Sequence, residues 1–213
     1  MVGSLLYAAV STRPDIAEAV GALAKFNACP TQTHLTTAKQ VMRYLKGTKD
    51  LCLNFRKQGK PMVEYTDVDN ASDADRHSKS GAVFINAGCS ISWSSKRQSV
   101  VDLSTTESEY IALFDGVVEC MRLRQLFSDI GTTQPNSTII FVDNRSTAAI
   151  TNSQKTSKRT KHIDAKNHYV REAIEAGDVC TEFRWPNDNI ADIFMKPLPR
   201  DRFVKFKDIL SLS

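Results

Sequence analysis

Two hundred and thirteen residues, 41% hydrophobic and 24% charged, suffice for one large domain or a compact domain with a helical appendage. A mean hydropathy of −0.30 permits a buried core and argues against long disorder or a fibrous chain. No apolar run approaches the roughly 18 residues a membrane helix needs, and the start lacks the basic flank and cleavage site of a secretory signal. Cys29, Cys52, Cys89, Cys120 and Cys180 are scattered and form no CxxC pair. That argues against a disulfide framework or a zinc site and fits an intracellular, reducing location. The net charge of +4 is uneven: residues 1–60 carry 9 Lys and Arg against 3 acids, and the remainder 19 against 21. A basic front on a mildly acidic body suggests two parts with different work, although lysines also serve simply to solvate helices.

In chain order, Pro14 stands where a first helical turn tolerates proline, and Ile16, Val20, Leu23 and Phe26 follow at helical spacing. His34 to Leu45 predicts a second amphipathic helix with Gly47 as its cap, and Asp50–Arg56 a short strand. The polar stretch Lys57–Pro61 is the expected boundary, giving a helical segment 1–60 and a body 61–213. The body opens on alternating Met62–Thr66 and an acidic loop. Gly81–Ile85 and Ser90–Ser94 flank Asn86-Ala87-Gly88, a hairpin turn. A long helix from Thr105 to Asp129, stopped by Gly131, precedes a strand at Thr138–Val142 and a short helix at Arg145–Thr151. A basic loop, a helix over Asp164–Ala176, a strand over Val179–Trp185 and two short helical pieces complete the chain. Strands and helices in this order predict an α/β (mixed α+β) fold, a mixed sheet covered by helices. No P-loop, dinucleotide fingerprint, HExxH or nucleophile elbow is present.

Four acids stand out by position. Asp67 lies at the end of the first body strand and Asp143 at the end of Thr138–Val142, the strand edge that favours ligand sites. Glu109 shares a helix face with Ala112, Leu113, Gly116, Val117 and Cys120, so that face packs on the sheet and aims a carboxylate at the strand ends. Glu107, two residues earlier, is the alternative if the helix is rotated. Asp192 opens the short helix after the last strand. Converging carboxylates repel one another, and a hard divalent cation resolves the repulsion. On residues alone, the same acids also read as caps and surface charges.

The strings TRPDIAEAV, MRYLKGTKDL, YTDVDNASD, SGAVF, ISWSSKRQ, LSTTESEYIAL, VDNRSTAAI, RTKHIDAKNHYVRE and ADIFMKPL occur in this order across the chain. Together they resemble the end of a copia-type retrotransposon Pol polyprotein. The first two resemble the thumb- or connection-like segment after the reverse-transcriptase palm, and the rest resemble its ribonuclease H domain. The resemblance implies a ribonuclease H fold with a five-stranded mixed sheet. It also implies cleavage of the RNA strand of RNA–DNA hybrids with two Mg²⁺ ions, Mn²⁺ being an alternative. It carries the catalytic, metal-holding acids onto Asp67, Glu109, Asp143 and Asp192. The polymerase part of the same polyprotein is the implied partner, and no polymerase activity is expected of this sequence without fingers and palm. The chain departs from the family at Asn70, Arg145 and Met195.

Lys155, Lys158, Arg159 and Lys161, together with Lys96 and Arg97, are expected to meet phosphates, lysine and arginine giving sequence-independent, salt-sensitive affinity. Asn144, Thr106 and Ser146 are candidates for sensing 2′-hydroxyls. His168 is a candidate proton shuttle and His162 a structural histidine at a helix start. Trp93 and Trp185 are expected to pack in the core rather than stack on bases. The competing reading is a non-catalytic transposon-derived module that binds nucleic acid or protein, including one recruited as an effector; the four acids favour the enzyme.

Overall fold

The computed structural model describes residues 1–56, 59–69, 77–99, 105–145, 147–148 and 161–213, the side chains of 161–164 excepted. Five strands form one sheet: β1 (Val63–Asp69), β2 (Lys79–Asn86), β3 (Cys89–Arg97), β4 (Thr138–Val142) and β5 (Val179–Phe183). Their spatial order is β3-β2-β1-β4-β5. The first three run antiparallel, while β4 and β5 lie parallel to β1. This is the ribonuclease H-like arrangement expected from the sequence. The turn between β2 and β3 is formed by Ala87 and Gly88 at φ 51° and 71°, the left-handed conformation a tight hairpin demands. Antiparallel neighbours need only such a turn, whereas reaching β4 beside β1 requires a crossover. The long helix α4 (Thr105–Asp129) provides it.

Two apolar clusters cover the two faces. On one, Leu113, Val117, Cys120 and Leu123 of α4 and Val170 and Ala173 of α5 (Lys161–Glu175) pack with Met62, just before β1, and with Phe84, Ile140 and Val179 from the strands. On the other lie α1 (Val2–Ser11), α2 (Ala17–Ala24), α3 (Gln32–Gly47) and α6 (Arg200–Ile209). There Leu5, Ala9, Val20 and Val41 share a cluster with Val83 of β2, with Ile190, Ile193 and Phe194 of a 3₁₀ turn, and with Phe206. The Trp93 indole donates to the Ala9 carbonyl at 2.7 Å, and Lys79 meets Glu18 at 3.0 Å, so the basic front packs directly on the sheet.

Val2–Ser11, for which no element was named, is helical, with Leu5 and Ala9 buried against the neighbouring helices. Three expectations are corrected. The helix entered at Pro14 ends at Ala24, short of Phe26. Gly47 is the last residue of α3, and Thr48 is its cap. Asp50–Arg56 forms no named strand; a single bridge joins Leu53 to Leu212, and Cys52 exchanges backbone bonds of 3.2 Å with Ser213. Its pairing partner lies far along the chain, where local pattern gives no guidance. Of the short helix expected over Arg145–Thr151, residues 145, 147 and 148 are helical, and the other positions lie outside the described residues.

A buried polar knot ties the α2 entry to α3. Arg13 clasps Asp15 through Nε and Nη2 at 2.9 and 2.7 Å, Tyr44 donates to Asp15 at 2.6 Å, and Arg13 also reaches the Thr48 hydroxyl at 2.7 Å. Burial and the bond to Asp15 push the Tyr44 phenol up from its ordinary value. Tyr44→Phe removes one charge-assisted bond and is expected to cost about 1.5 kcal/mol, measured by urea unfolding.

Candidate active site

Register brings two acids together. Tyr65 of β1 is level with Phe141 of the parallel strand β4, so two residues on Asp67 and Asp143 emerge side by side. Asp67 is 3% exposed and its Oδ1 accepts from the Val68 amide at 2.7 Å. Glu109, 8% exposed in the second turn of α4, completes the group: one oxygen from each of Asp67, Glu109 and Asp143 lies within 4.8 Å of the others. Glu107 is outside it, so the helix presents Glu109.

The electrostatics of this group are unfavourable as it stands. Burial, then the charges of Asp143, Asp192 and Glu109 together with a hydrogen bond to Asp192, push Asp67 up to about 10. Burial and then Asp143 push Glu109 up to about 8. Asp143 is also raised, first by burial and further by Asp192, against the pull of Asp67 and Lys196. Among the described residues, no ion pair neutralises any of the three. Closely spaced carboxylate oxygens are the donor set a hard divalent cation prefers, so these residues fit Mg²⁺.

Asp192 is held differently. It is 1% exposed in the 3₁₀ turn Ile190–Phe194, close enough to act on Asp67, but outside the 4.8 Å group. Lys196 meets its Oδ1 at 2.6 Å and Arg202 binds its Oδ2. Asn189 sets the turn, donating to the Thr66 carbonyl at 3.0 Å and accepting from Ala191 at 3.2 Å. Gly81 lets the turn approach β2: a Cβ there would lie 2.6 Å from Met195 Cγ and 2.7 Å from the Ala191 carbonyl. Sequence reasoning missed Lys196, Arg202 and Asn189. The four-residue spacing from Asp192 to Lys196 was a usable signal; Arg202 carried none.

The remaining candidates are dispersed. Lys96 pairs loosely with Asp115 at 3.8 Å, and Arg97 is exposed at the end of β3. Asn144 follows Asp143 directly, and its Oδ1 accepts from the Thr147 amide at 3.3 Å. Thr106 is partly buried in the first turn of α4. His168 pairs with Glu172 at 3.1 Å on an exposed face of α5. Asn70, Ser146, Lys155, Lys158 and Arg159, and the side chains of Lys161 and His162, lie outside the described residues. Trp93 is partly buried as expected, but Trp185 is 62% exposed and does not join the core, because β5 ends at Phe183 and Pro186 turns the chain away.

Clefts of about 520 and 490 Å³ lie elsewhere, one between β2, β3 and α4, the other around Arg56, Lys60 and Arg184, and neither includes an acid of the group. No helix of the described residues is long and apolar enough to cross a membrane.

No family model matches the chain. It is 38% identical over 212 residues to the Retrovirus-related Pol polyprotein from transposon TNT 1-94 of Nicotiana tabacum, covering 99% of this chain and 16% of that protein. The chain thus spans about a sixth of that relative's length. It is 45% identical over 125 residues to Secreted RxLR effector protein 161 of Plasmopara viticola, covering 57% of this chain and 87% of the effector. A solved foamy viral protease-reverse transcriptase dRH in complex with ds DNA shares the fold at TM-score 0.52 and 11% identity, over 93% of this chain and 31% of that one. With its ribonuclease H-like sheet, and over 99% of its own length, the chain is similar to the copia-type retrotransposon Pol polyproteins.

Proposed function

We propose that this chain is a ribonuclease H-type nuclease that hydrolyses the RNA strand of RNA–DNA hybrids. The observation that carries the reading is the trio Asp67, Glu109 and Asp143, the first two buried and the third partly so, with one oxygen from each within 4.8 Å of the others. These three would hold Mg²⁺, and Asp192 would join them by exchanging a contact with Lys196 or Arg202. Two bound divalent ions supply the charge that activates an attacking water and offsets charge on the leaving oxygen. The chain's own part is to fix the acids. Val68 orients Asp67 through its amide, the sheet registers Asp143 beside it, and the apolar face of α4 anchors Glu109. Lys96, Arg97 and the basic residues Lys155, Lys158, Arg159 and Lys161 are proposed to hold phosphates, and Asn144 to meet a sugar beside the scissile bond. Segment 1–60 is proposed as a thumb- or connection-like unit that adds basic surface.

The likeness to a secreted effector favours a second reading, a binding module without catalysis. A module has no use for three converging acids, two of them buried and all raised by their surroundings, so the nuclease reading is preferred. The test is a labelled RNA–DNA hybrid with Mg²⁺ or chelator, beside a DNA duplex of the same sequence. RNA-strand cutting only with metal and only in the hybrid is the expected result. A folded chain that binds the hybrid and never cuts it would overturn the nuclease in favour of the module.

A further inference from the structure

We propose that Trp185, Phe183 and Arg145 form a stacking platform for an unpaired nucleobase beside the carboxylate group; the inference rests on the nucleic-acid reading above. Phe183 is level with Val142 in the parallel pair of β5 with β4, so the platform stands one strand, about 4.8 Å, from the backbone that leads into Asp143. Phe183 and Trp185 meet edge to face, their centroids 5.3 Å apart. The Arg145 guanidinium carbon lies 4.9 Å from the Phe183 centroid and 5.2 Å from that of Trp185.

Tryptophan is highly buried on average, so a ring 62% exposed at a strand end is unusual. This ring is also held in place. Phe183 braces its edge, Arg145 lies over it, and Pro186 fixes the chain immediately after it. A pre-set aromatic surface loses little entropy when a flat ligand settles on it. Arg145 adds the positive charge that attracts phosphate, and its planar group stacks with a base as well.

Bases inside a hybrid duplex are already stacked on one another. The partner that offers a free π-face is a nucleotide where a single strand leaves the duplex. The platform therefore selects hybrids with a single-stranded extension over blunt ones.

Two tryptophans make the test direct, since Trp185→Phe removes one emitter and keeps an aromatic face. The chain, in chelator to prevent cutting, is titrated with a blunt hybrid and with one carrying a short extension, following affinity and tryptophan fluorescence. The extended hybrid is expected to bind roughly tenfold more tightly and to quench an emission that Trp185→Phe lacks. Trp185→Ala is expected to erase the preference, and Trp185→Phe to keep most of it. Equal affinities without quenching, or a preference that survives Trp185→Ala, would overturn the platform. Cutting in Mg²⁺ without a preference sinks the platform alone; a preference without cutting sinks the nuclease alone; and failure to bind either hybrid sinks both.

Discussion

Asp67→Asn is expected to yield a more stable metal-free protein that no longer cuts the hybrid, and Asp143→Asn to behave in the same direction. The loss of cutting follows from the donor set. Each substitution removes a charged ligand from a group whose three oxygens lie within 4.8 Å. Charge stabilisation by bound metal is worth several kcal/mol, so a fall of about a thousandfold or more is expected in single-turnover cleavage. The stability gain follows from linkage. Asp67 is raised from 3.8 to about 10 and Glu109 from 4.5 to about 8 in the metal-free fold. A carboxyl raised by folding stabilises fully below its unfolded pKa and loses that contribution as pH rises through the folded value. The metal-free protein therefore weakens from about pH 4 towards pH 8–10, the window those two groups define. Asparagine cannot ionise and escapes the loss. After relaxation and water penetration are discounted, the gain at pH 8 is on the order of 1–2 kcal/mol, and it vanishes at pH 4. Urea unfolding in chelator at both pH values measures it. Mg²⁺ is expected to raise the midpoint of the wild type at pH 8 and not that of Asp67→Asn. A variant that is destabilised at pH 8, or still titratable with Mg²⁺, contradicts the assignment.

Gly116→Ala is expected to destabilise the fold by about 3 kcal/mol, at the upper end of what overpacking costs. Glu64 of β1 points into the apolar layer beneath α4; it is 0% exposed, and neither carboxylate oxygen has a hydrogen-bond partner among the described residues. A Cβ at Gly116 would overlap that carboxyl. Burial, and then the nearby Glu119, hold Glu64 well above its ordinary value of 4.5. Glu119 is itself held low, first by its hydrogen bond to Arg122, with Ser92 also donating to it. Cys120, pushed up to about 12 chiefly by burial, also faces Glu64. The glycine thus exists to admit a carboxyl. Glu64→Ala in the Gly116→Ala background is expected to recover most of the loss, a coupling of about 2 kcal/mol in a double-mutant cycle. Glu64→Met, close in shape and without an unpaired polar group, is expected to stabilise by about 1–2 kcal/mol above pH 7, with a smaller gain near pH 4. Additive losses in the cycle would show that the two residues do not share the space.

Much of the architecture was legible because the signals are local. Alternation in Met62–Thr66, the Asn86-Ala87-Gly88 turn and the small, apolar face of Thr105–Asp129 set the element types without reference to anything distant. The strand-end positions of Asp67 and Asp143 and the helical phase of Glu109 follow from the same periods, but those periods left the same acids readable as caps and surface charges, and it was the resemblance that implied a shared site. Helix α1 was not legible, since its burial depends on helices and strands that the sequence places elsewhere. The pairing of Cys52 with Ser213 joins segments from opposite ends of the chain.

Tertiary structure alone decided the electrostatic surroundings of the site and the partners of Asp192. Register sets Asp67 beside Asp143, and their mutual burial, rather than residue type, raises both. Lys196 at four residues and Arg202 at ten bind Asp192, which separates it from the other three acids, with which no ion pair forms among the described residues. Trp185 and Glu64 make the same point in opposite directions. An aromatic expected inside stands in solvent because its strand has ended, and an acid lies in the core because a glycine on the facing helix leaves room for it. Periodicity states which way a side chain points; desolvation and pairing depend on what stands opposite, and only the folded chain supplies that.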